Sequence, residues 1–139
     1  MSYTPLTALL SAYQLQPIES TNVSLTSAAL TNITNVSSEE GVLHTVTLHI
    51  TTALIGNCTA NLEVQVDGSA TQNISVFAAG LSMASSLQGM PGTGVVLLDD
   101  FKSLPVFVPF KTSLRVGLNV TVASATGNLR VSVLRSKRI

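Results

Sequence analysis

Apolar and polar residues alternate along most of this chain, and the alternation is clearest between Gly41 and Gly68. Every second residue from 42 to 50 is apolar apart from His44, which shares their face, and every second residue from 62 to 66 is apolar. A period of two is typical of strands that bury one face and expose the other. Asp67-Gly68 then supplies a turn, because Gly takes positive φ at no steric cost. The stretch predicts a β-hairpin.

Similar alternation occurs in most of the remaining chain. The other candidate strands are two short ones in 21–36, where the phase slips between Leu30 and Ile33 and predicts a bulge or bend, followed by 73–77, 95–98, 104–110, 112–123 and 129–133. Prolines at 105 and 109 are typical of an edge strand or a strand entry. The last two strands are predicted to pair as an antiparallel hairpin. About eight strands and almost no helix predict an all-β, antiparallel β-sandwich or small barrel, with jelly-roll topology favoured.

Residues 1–20 are predicted to be an N-terminal arm ahead of a β-sandwich domain of residues 21–139. Thr4-Pro5 suits the start of a short helix that Pro17 would end. Its apolar residues would share one face, and they are Leu6, Leu9, Leu10 and Tyr13. A helix this short is marginal alone, so we expect it to pack on the sandwich or on a neighbouring subunit.

The segment 78–94 is rich in glycine and has no charged residue, which predicts a long loop. Met83 and Met90 would give it an adaptable apolar surface. Loops of this length usually make contacts or carry function. The segment either contacts another subunit or covers its own core.

Composition and charge favour self-association. Hydrophobic residues make up 45% of the chain, charged residues 10%, and there is no Trp. So few charges leave little to keep surfaces apart, which favours a homo-oligomer. The formal net charge is zero, so nothing in the overall charge favours nucleic acid.

The charges are also segregated along the sequence. All seven acidic residues lie at or before Asp100 and all seven basic residues lie after it. The segregation is either chance or a device that steers docking between copies or onto a partner. On the second interpretation the basic tail, with Arg135, Lys137 and Arg138, would contact a partner.

No residue pattern indicates catalysis, a cofactor or a metal site. His44 and His49 are an odd number of residues apart on one strand, so they are predicted to lie on opposite faces and cannot share a metal. His44 is expected to be a hydrogen-bonded core or interface residue, with pH sensing as an alternative. Adjacent acidic pairs at 39–40 and 99–100 lack the spacing of a calcium loop and are expected to be solvated turns. Cys58 has no basic neighbour and is expected to be a passive thiol.

Targeting and modification signals are similarly weak. The chain begins Met1-Ser2-Tyr3, without the basic and apolar regions of a secretory signal, and no apolar run reaches the roughly 20 residues of a membrane helix. Six Asn-x-Ser/Thr triplets fit half-buried strands rich in Ser and Thr, so glycosylation is not expected.

Part of the chain resembles a module of tailed-phage virion proteins. The resemblance is carried by Ser37-Ser38-Glu39-Glu40-Gly41-Val42-Leu43, by 46–50, and by 62–68, which ends in Asp67-Gly68. A hairpin of this form recurs in β-sandwich head decoration, collar and tail-tip proteins, and 101–104 and 110–116 are similar to the second half of such modules. The likeness covers roughly residues 37–135. It implies a homo-oligomeric virion component assembled in the host cytoplasm, with no functional residue carried over.

Two functions therefore stand as hypotheses. The first is a capsid decoration (cement) protein, a homotrimer that binds the major capsid protein or another virion protein, with no enzymatic activity, cofactor, nucleic acid or membrane. The second is a tail fibre, baseplate or receptor-binding module that uses the 78–94 loop. An enzyme would need a cleft lined by residues such as Asp99, Asp100 and His44.

Overall fold

The computed structural model describes residues 12–55, 58–76, 101–123 and 126–139. Within these residues the chain forms nine strands in two antiparallel sheets. The strands are β1 (Tyr13–Leu15), β2 (Glu19–Ser24), β3 (Leu30–Ser37), β4 (Gly41–Ile55), β5 (Thr59–Val66), β6 (Gln72–Ser75), β7 (Phe101–Phe110), β8 (Ser113–Val122) and β9 (Thr126–Arg138).

The strand order is that of a jelly roll. The five-stranded sheet runs β1-β9-β4-β7, and β2 continues the β1 edge by pairing with the earlier part of β9. The four-stranded sheet runs β3-β8-β5-β6. From β2 to β9 the chain changes sheet at every connection except β5 to β6. Eight strands in two such sheets form the double-sheet jelly roll, which confirms the predicted fold class.

Two predicted hairpins are wrong. β4 and β5 lie in different sheets, and so do β8 and β9, so neither pair shares a ladder. Alternation along a strand specifies which residues face the core, but both sheets face the same core and the pattern does not identify the partner. The hairpin within one sheet is β5–β6, and its turn at Asp67-Gly68 has positive φ values of 53° and 71°.

Three local predictions agree with the structure. The register of β3 shifts between Asn32 and Thr34, as the phase slip indicated. β7 is an edge strand, as its two prolines indicated. β6 occupies the described part of the strand predicted at 73–77, whereas the strand predicted at 95–98 lies outside the described residues.

The core lies between the sheets and is built from Leu, Val and Ile side chains together with Phe110. Central strands β4 and β9 contribute residues that are fully buried, including Leu48, Ile50 and Leu129. Burying a side chain of this size stabilises the fold by about 1.5–3 kcal/mol relative to leaving it exposed. This apolar filling holds the outer faces of both sheets in fixed positions.

A β-bulge at His44 corrects the predicted face of β4. Leu43 pairs with Arg135 and Thr45 pairs with Leu134, so two steps along β4 match one step along β9. Leu43 therefore joins the buried face, and Val42 and His44 lie on the outer face.

The same bulge changes the relation between the two histidines. His44 and His49 lie on one face of the sheet and not on opposite faces, because the extra residue shifts the phase between them. Five residues along a strand still separate them by about 16 Å. They remain too far apart to share a metal, for a reason other than the predicted one.

The predicted arm is only partly described. Tyr13 lies in β1 and not in a helix, and the proposed boundary between residues 20 and 21 falls inside β2. Residues 1–11, with Leu6, Leu9 and Leu10, lie outside the described residues, so an arm there stays a prediction.

Candidate assembly surface

One end of the outer face of the five-stranded sheet carries a row across four strands that is apolar on three of them. Strand pairing places Leu15 beside Ser136, Ser136 beside Val42, and Val42 beside Pro109. Partners in a ladder point to the same face, so the four side chains are neighbours on the outer surface. Leu15 is 63% exposed, whereas Ser136 is buried beneath its neighbours.

A second apolar row lies next to the first. Leu134 pairs with Thr45, and Thr45 pairs with Pro105. Ile18 directly precedes β2 and is 64% exposed, and the β2–β9 register places it beside Leu134. We call the two sets together the apolar rows: Leu15, Ser136, Val42 and Pro109, then Ile18, Leu134, Thr45 and Pro105.

Between the two rows, the rings of Phe107 and His44 form an aromatic pair where the register between β4 and β7 shifts. Leu43 pairs with Val108 and Thr45 with Pro105, so β7 makes three steps where β4 makes two. Phe107 lies in this extra step with a φ of 52°. A bulky residue in the left-handed region is an outlier that costs on the order of 1–3 kcal/mol. Despite that cost, its side chain is 66% exposed.

The other member of the aromatic pair is His44. Its ring meets the Phe107 ring edge to face, with centroids 6.2 Å apart and an interplanar angle of 77°. Its Nε2 is hydrogen-bonded to Ser136 Oγ at 2.9 Å. His44 is thus a hydrogen-bonded surface residue that supports an exposed aromatic ring, and it lies outside the core.

Small polar residues border the apolar rows along the strands. Ser20 and Ser132 share a hydrogen bond of 2.7 Å, and Thr47 and Ser103 share one of 3.3 Å. We call these four residues the hydroxyl row. The hydroxyl row lies two residues further along each strand than the second apolar row, so the outer face changes there from apolar to polar.

Apart from the exposed Leu30, the outer face of the four-stranded sheet carries a network of polar side chains. Arg115 donates to Glu63 at 2.9 Å, to Gln65 at 3.3 Å and to Asn32 at 3.2 Å. Asn119 Nδ2 donates to the other oxygen of Glu63 at 3.0 Å. The two outer faces therefore differ in kind, and only the five-stranded sheet presents the apolar rows.

A buried arginine joins the sheet edge to the β3–β4 turn. Arg135 is 7% exposed, and it donates to Glu19 Oε1 and to Glu39 Oε2, both at 2.7 Å. Lys137 Nζ lies 3.7 Å from the other oxygen of Glu39. Arg135, predicted as a partner contact, is thus occupied within its own chain.

The segregated charges along the sequence meet inside one molecule. Because β9 lies between the β1–β2 edge and β4, its basic residues face acidic residues from the first third of the chain. Arg138 pairs with Glu40 at 2.9 Å, and Glu39 and Glu40 are partly buried ion-pair partners where solvated turns were predicted. The paired carboxylates serve folding, and docking is not needed to explain the segregation.

Asp67 has a role that sequence reasoning missed. Its Oδ1 accepts from the backbone N–H groups of Lys111, Thr112 and Ser113 at 2.9, 2.7 and 3.1 Å. These donors stabilise the charged form and lower the pKa of the carboxyl group. A turn aspartate therefore also fixes the β7–β8 connection, which joins the two sheets next to β5.

The remaining predicted contact residues divide into two groups. Lys137 and Arg138 are exposed and Tyr13 is half-buried on the β1 edge. Leu6, Leu9, Leu10, Met83 and Met90 lie outside the described residues, as does the 78–94 loop. Their role in contacts stays a prediction. No sequence pattern singled out Leu15, Ile18 or Phe107, because exposure depends on register.

The described residues hold no cluster of three or more His, Cys, Asp or Glu side chains arranged to bind a metal. Burial raises the pKa of the Cys58 thiol to about 11, in agreement with a passive thiol. Among the same residues, no helix has the length and apolar character that crossing a membrane requires.

No family model and no curated protein matches this chain. Among solved structures, similarity was found to the infectious bursal disease virus Gx strain, with a TM-score of 0.37 and 12% identity. The VP2 subviral particle of infectious bursal disease virus gives a TM-score of 0.35 at 12% identity, and the Gt strain gives 0.31 at 13%.

Each alignment covers 91% of this chain and 37% of the viral chain. These three structures lend no support to a tailed-phage origin specifically. Because all three TM-scores are below 0.5, the strand order and the outer surface of this chain are the better basis for assigning a function.

Proposed function

We propose that this chain is a non-enzymatic structural protein of a virus particle. In the finer form of the proposal it is a decoration (cement) protein that forms a homotrimer and binds the major capsid protein or another shell protein. It would be assembled in the host cytoplasm and reside in the virion. The observation that carries the proposal is the jelly roll with the apolar rows at one end of the outer face of one sheet.

The fold is compatible with a small number of functions and does not select one of them. Double-sheet jelly rolls are used in viral capsids and in lectin-type binding domains, and a fold alone does not assign a function. Sugar binding relies on exposed aromatic rings for stacking. Among the residues whose burial the structure describes, Phe107 is the one large aromatic that is mostly exposed, and it lies among apolar neighbours. That surrounding favours a protein contact over a sugar site.

The charge arrangement supports close packing of copies. Four described glutamates are ion-paired within the chain, and Asp67 is bound by backbone donors. With a formal net charge of zero, identical molecules do not repel one another. An assembly protein benefits from that property, because it must pack many copies side by side.

The test is mass spectrometry and immunogold microscopy of particles purified by density gradient from cells that carry the gene. We expect the chain in the particle fraction at a fixed ratio to the major shell protein, with gold on the head. Gold confined to the tail would favour the fibre or receptor-binding alternative. Absence of the chain from purified particles would overturn the proposal.

A further inference from the structure

We infer that the apolar rows form the contact with a second copy of this chain, and that Phe107 is the anchor of that contact. The inference rests on the proposed homo-oligomer and names the surface that makes it.

The size of the surface suits a subunit contact. Leu15, Ile18 and Phe107 are each about two-thirds exposed, at 63%, 64% and 66%. Together with the partly exposed residues of the apolar rows they form one contiguous patch, and apolar patches larger than a few hundred Å² typically mark interaction sites. A standard interface buries about 800 Å² on each partner, so the contact would extend from the apolar rows onto the hydroxyl row.

The chemistry of the surface fits a neutral partner. Among the described residues, His44 is the one ionisable residue within or between the apolar rows. A strongly charged partner would find no charge there to pair with. A second copy has zero formal net charge, and its ion pairs are satisfied internally, so it can cover the rows without electrostatic penalty.

The conformation of Phe107 supports its role as the anchor of the contact. A left-handed φ at an aromatic residue is unfavourable in the isolated chain, and exposure of the ring gains no burial energy in return. Interface hot spots are typically large side chains near the centre of an apolar patch. Phe107 lies between the two rows, and His44 supports its ring. An interface would bury the ring that the monomer leaves exposed.

The first experiment uses Phe107→Asn and sedimentation velocity over a range of protein concentrations. Asn tolerates the left-handed region better than Phe, so at a protein concentration low enough to keep both proteins monomeric the variant should have an unchanged or raised thermal midpoint. Loss of a hot-spot anchor should weaken self-association by about 30-fold or more. The control is Val122→Thr, which alters an exposed residue of the other sheet and should associate like the wild type.

The second experiment measures maleimide labelling of Leu15→Cys as the protein concentration rises. The native Cys58 is buried and should stay unlabelled. We expect protection of residue 15 to grow with concentration, whereas a Val122→Cys control stays reactive throughout. Protection that does not depend on concentration would show that a segment of the same chain, such as residues 1–11, covers the surface, and would overturn the inference.

Two further outcomes would also overturn it: a wild-type protein that stays monomeric over the whole range, or a Phe107→Asn variant that associates like the wild type. These failures are separable from that of the proposed function. If the chain is found in particles but its self-association does not depend on Phe107, only the inferred contact surface is contradicted. A chain that associates through Phe107 but is absent from particles contradicts the virion role alone.

Discussion

Replacing Arg135 by Met should destabilise the fold strongly, because Arg135 neutralises two carboxylates at a buried site. Its side chain is 9% exposed, and the side chains of Glu19 and Glu39 are 34% and 17% exposed. Methionine fills a similar space but leaves the two carboxylates close together without their shared cation. The damage is therefore electrostatic more than a loss of volume.

The magnitude depends on how far each partner reaches water. Breaking a fully buried pair costs about 3–5 kcal/mol, whereas an exposed pair contributes about 0.2–1 kcal/mol. Glu19 is partly solvated, and Glu39 retains Lys137 at 3.7 Å, which places this site below the fully buried case. We expect a loss of about 2–3 kcal/mol, or roughly 10 °C in the thermal midpoint for a chain of this length.

Urea unfolding followed by far-UV circular dichroism at one fixed protein concentration measures the loss, since the chain has no Trp for fluorescence. Arg138→Met is the matched control: its partner is Glu40 and its side chain is 55% exposed, so the urea midpoint should not move. Adding Glu39→Gln to Arg135→Met should recover part of the stability, because one of the two carboxylates left without Arg135 disappears together with its repulsion of Glu19. A loss below about 1 kcal/mol, or no recovery in the double variant, would refute the reasoning.

Three further outcomes are expected. Backbone donors lower the pKa of Asp67, so its stabilising effect is full above the ordinary aspartate pKa of 3.8 and disappears as the pH falls through the lower folded value. Asp67→Asn should therefore flatten the acid limb of a stability-against-pH curve, and an unchanged limb would contradict the role of the carboxylate. The Cys58 thiol, with a pKa of about 11, should react with a disulfide reagent at pH 8 only after denaturant is added; immediate reaction would show that it is accessible. Gly41→Ala should cost more than about 3 kcal/mol in urea unfolding, because an added Cβ would overlap the Ser136 carbonyl oxygen and the Phe110 ring; near-wild-type stability would show that the strands can separate.

Alternation predicted the β-sandwich and many strand positions because a period of two is imposed by burial of one face. It could not predict that β4 and β5 separate into different sheets. In a jelly roll consecutive strands cross the core, so the partner of a strand is decided by the whole set of connections. Asp67-Gly68 was correctly predicted as a turn, but its carboxylate contact with the β7–β8 connection joins positions more than 40 residues apart.

The role of the segregated charges also could not be predicted from the sequence, because it depends on the strand order. Acidic residues before Asp100 and basic residues after it are visible in the sequence, but their use depends on where β9 lies. Because β9 is inserted between the first strands and β4, Arg135 and Arg138 reach Glu19, Glu39 and Glu40 within one molecule. A docking interpretation of the same pattern was physically reasonable, and the strand order supplies a different one.

The bulge at His44 accounts for both the closed core and the proposed contact surface. Without the extra residue, regular alternation would turn His44 and Val42 inward and Leu43 outward. A buried imidazole without a partner would be costly. The bulge instead buries Leu43 completely and leaves room at Gly41 for the Phe110 ring.

The matching irregularity in β7 packs Val106 against the core, but it also holds Phe107 in a left-handed conformation with its ring exposed. The two neighbouring bulges thus both serve the core, but only the second leaves an aromatic residue strained and exposed. The first is explained by folding alone. The second gains a physical reason if the ring is buried by another copy, which is why Phe107→Asn separates association from stability more sharply than any substitution in the core.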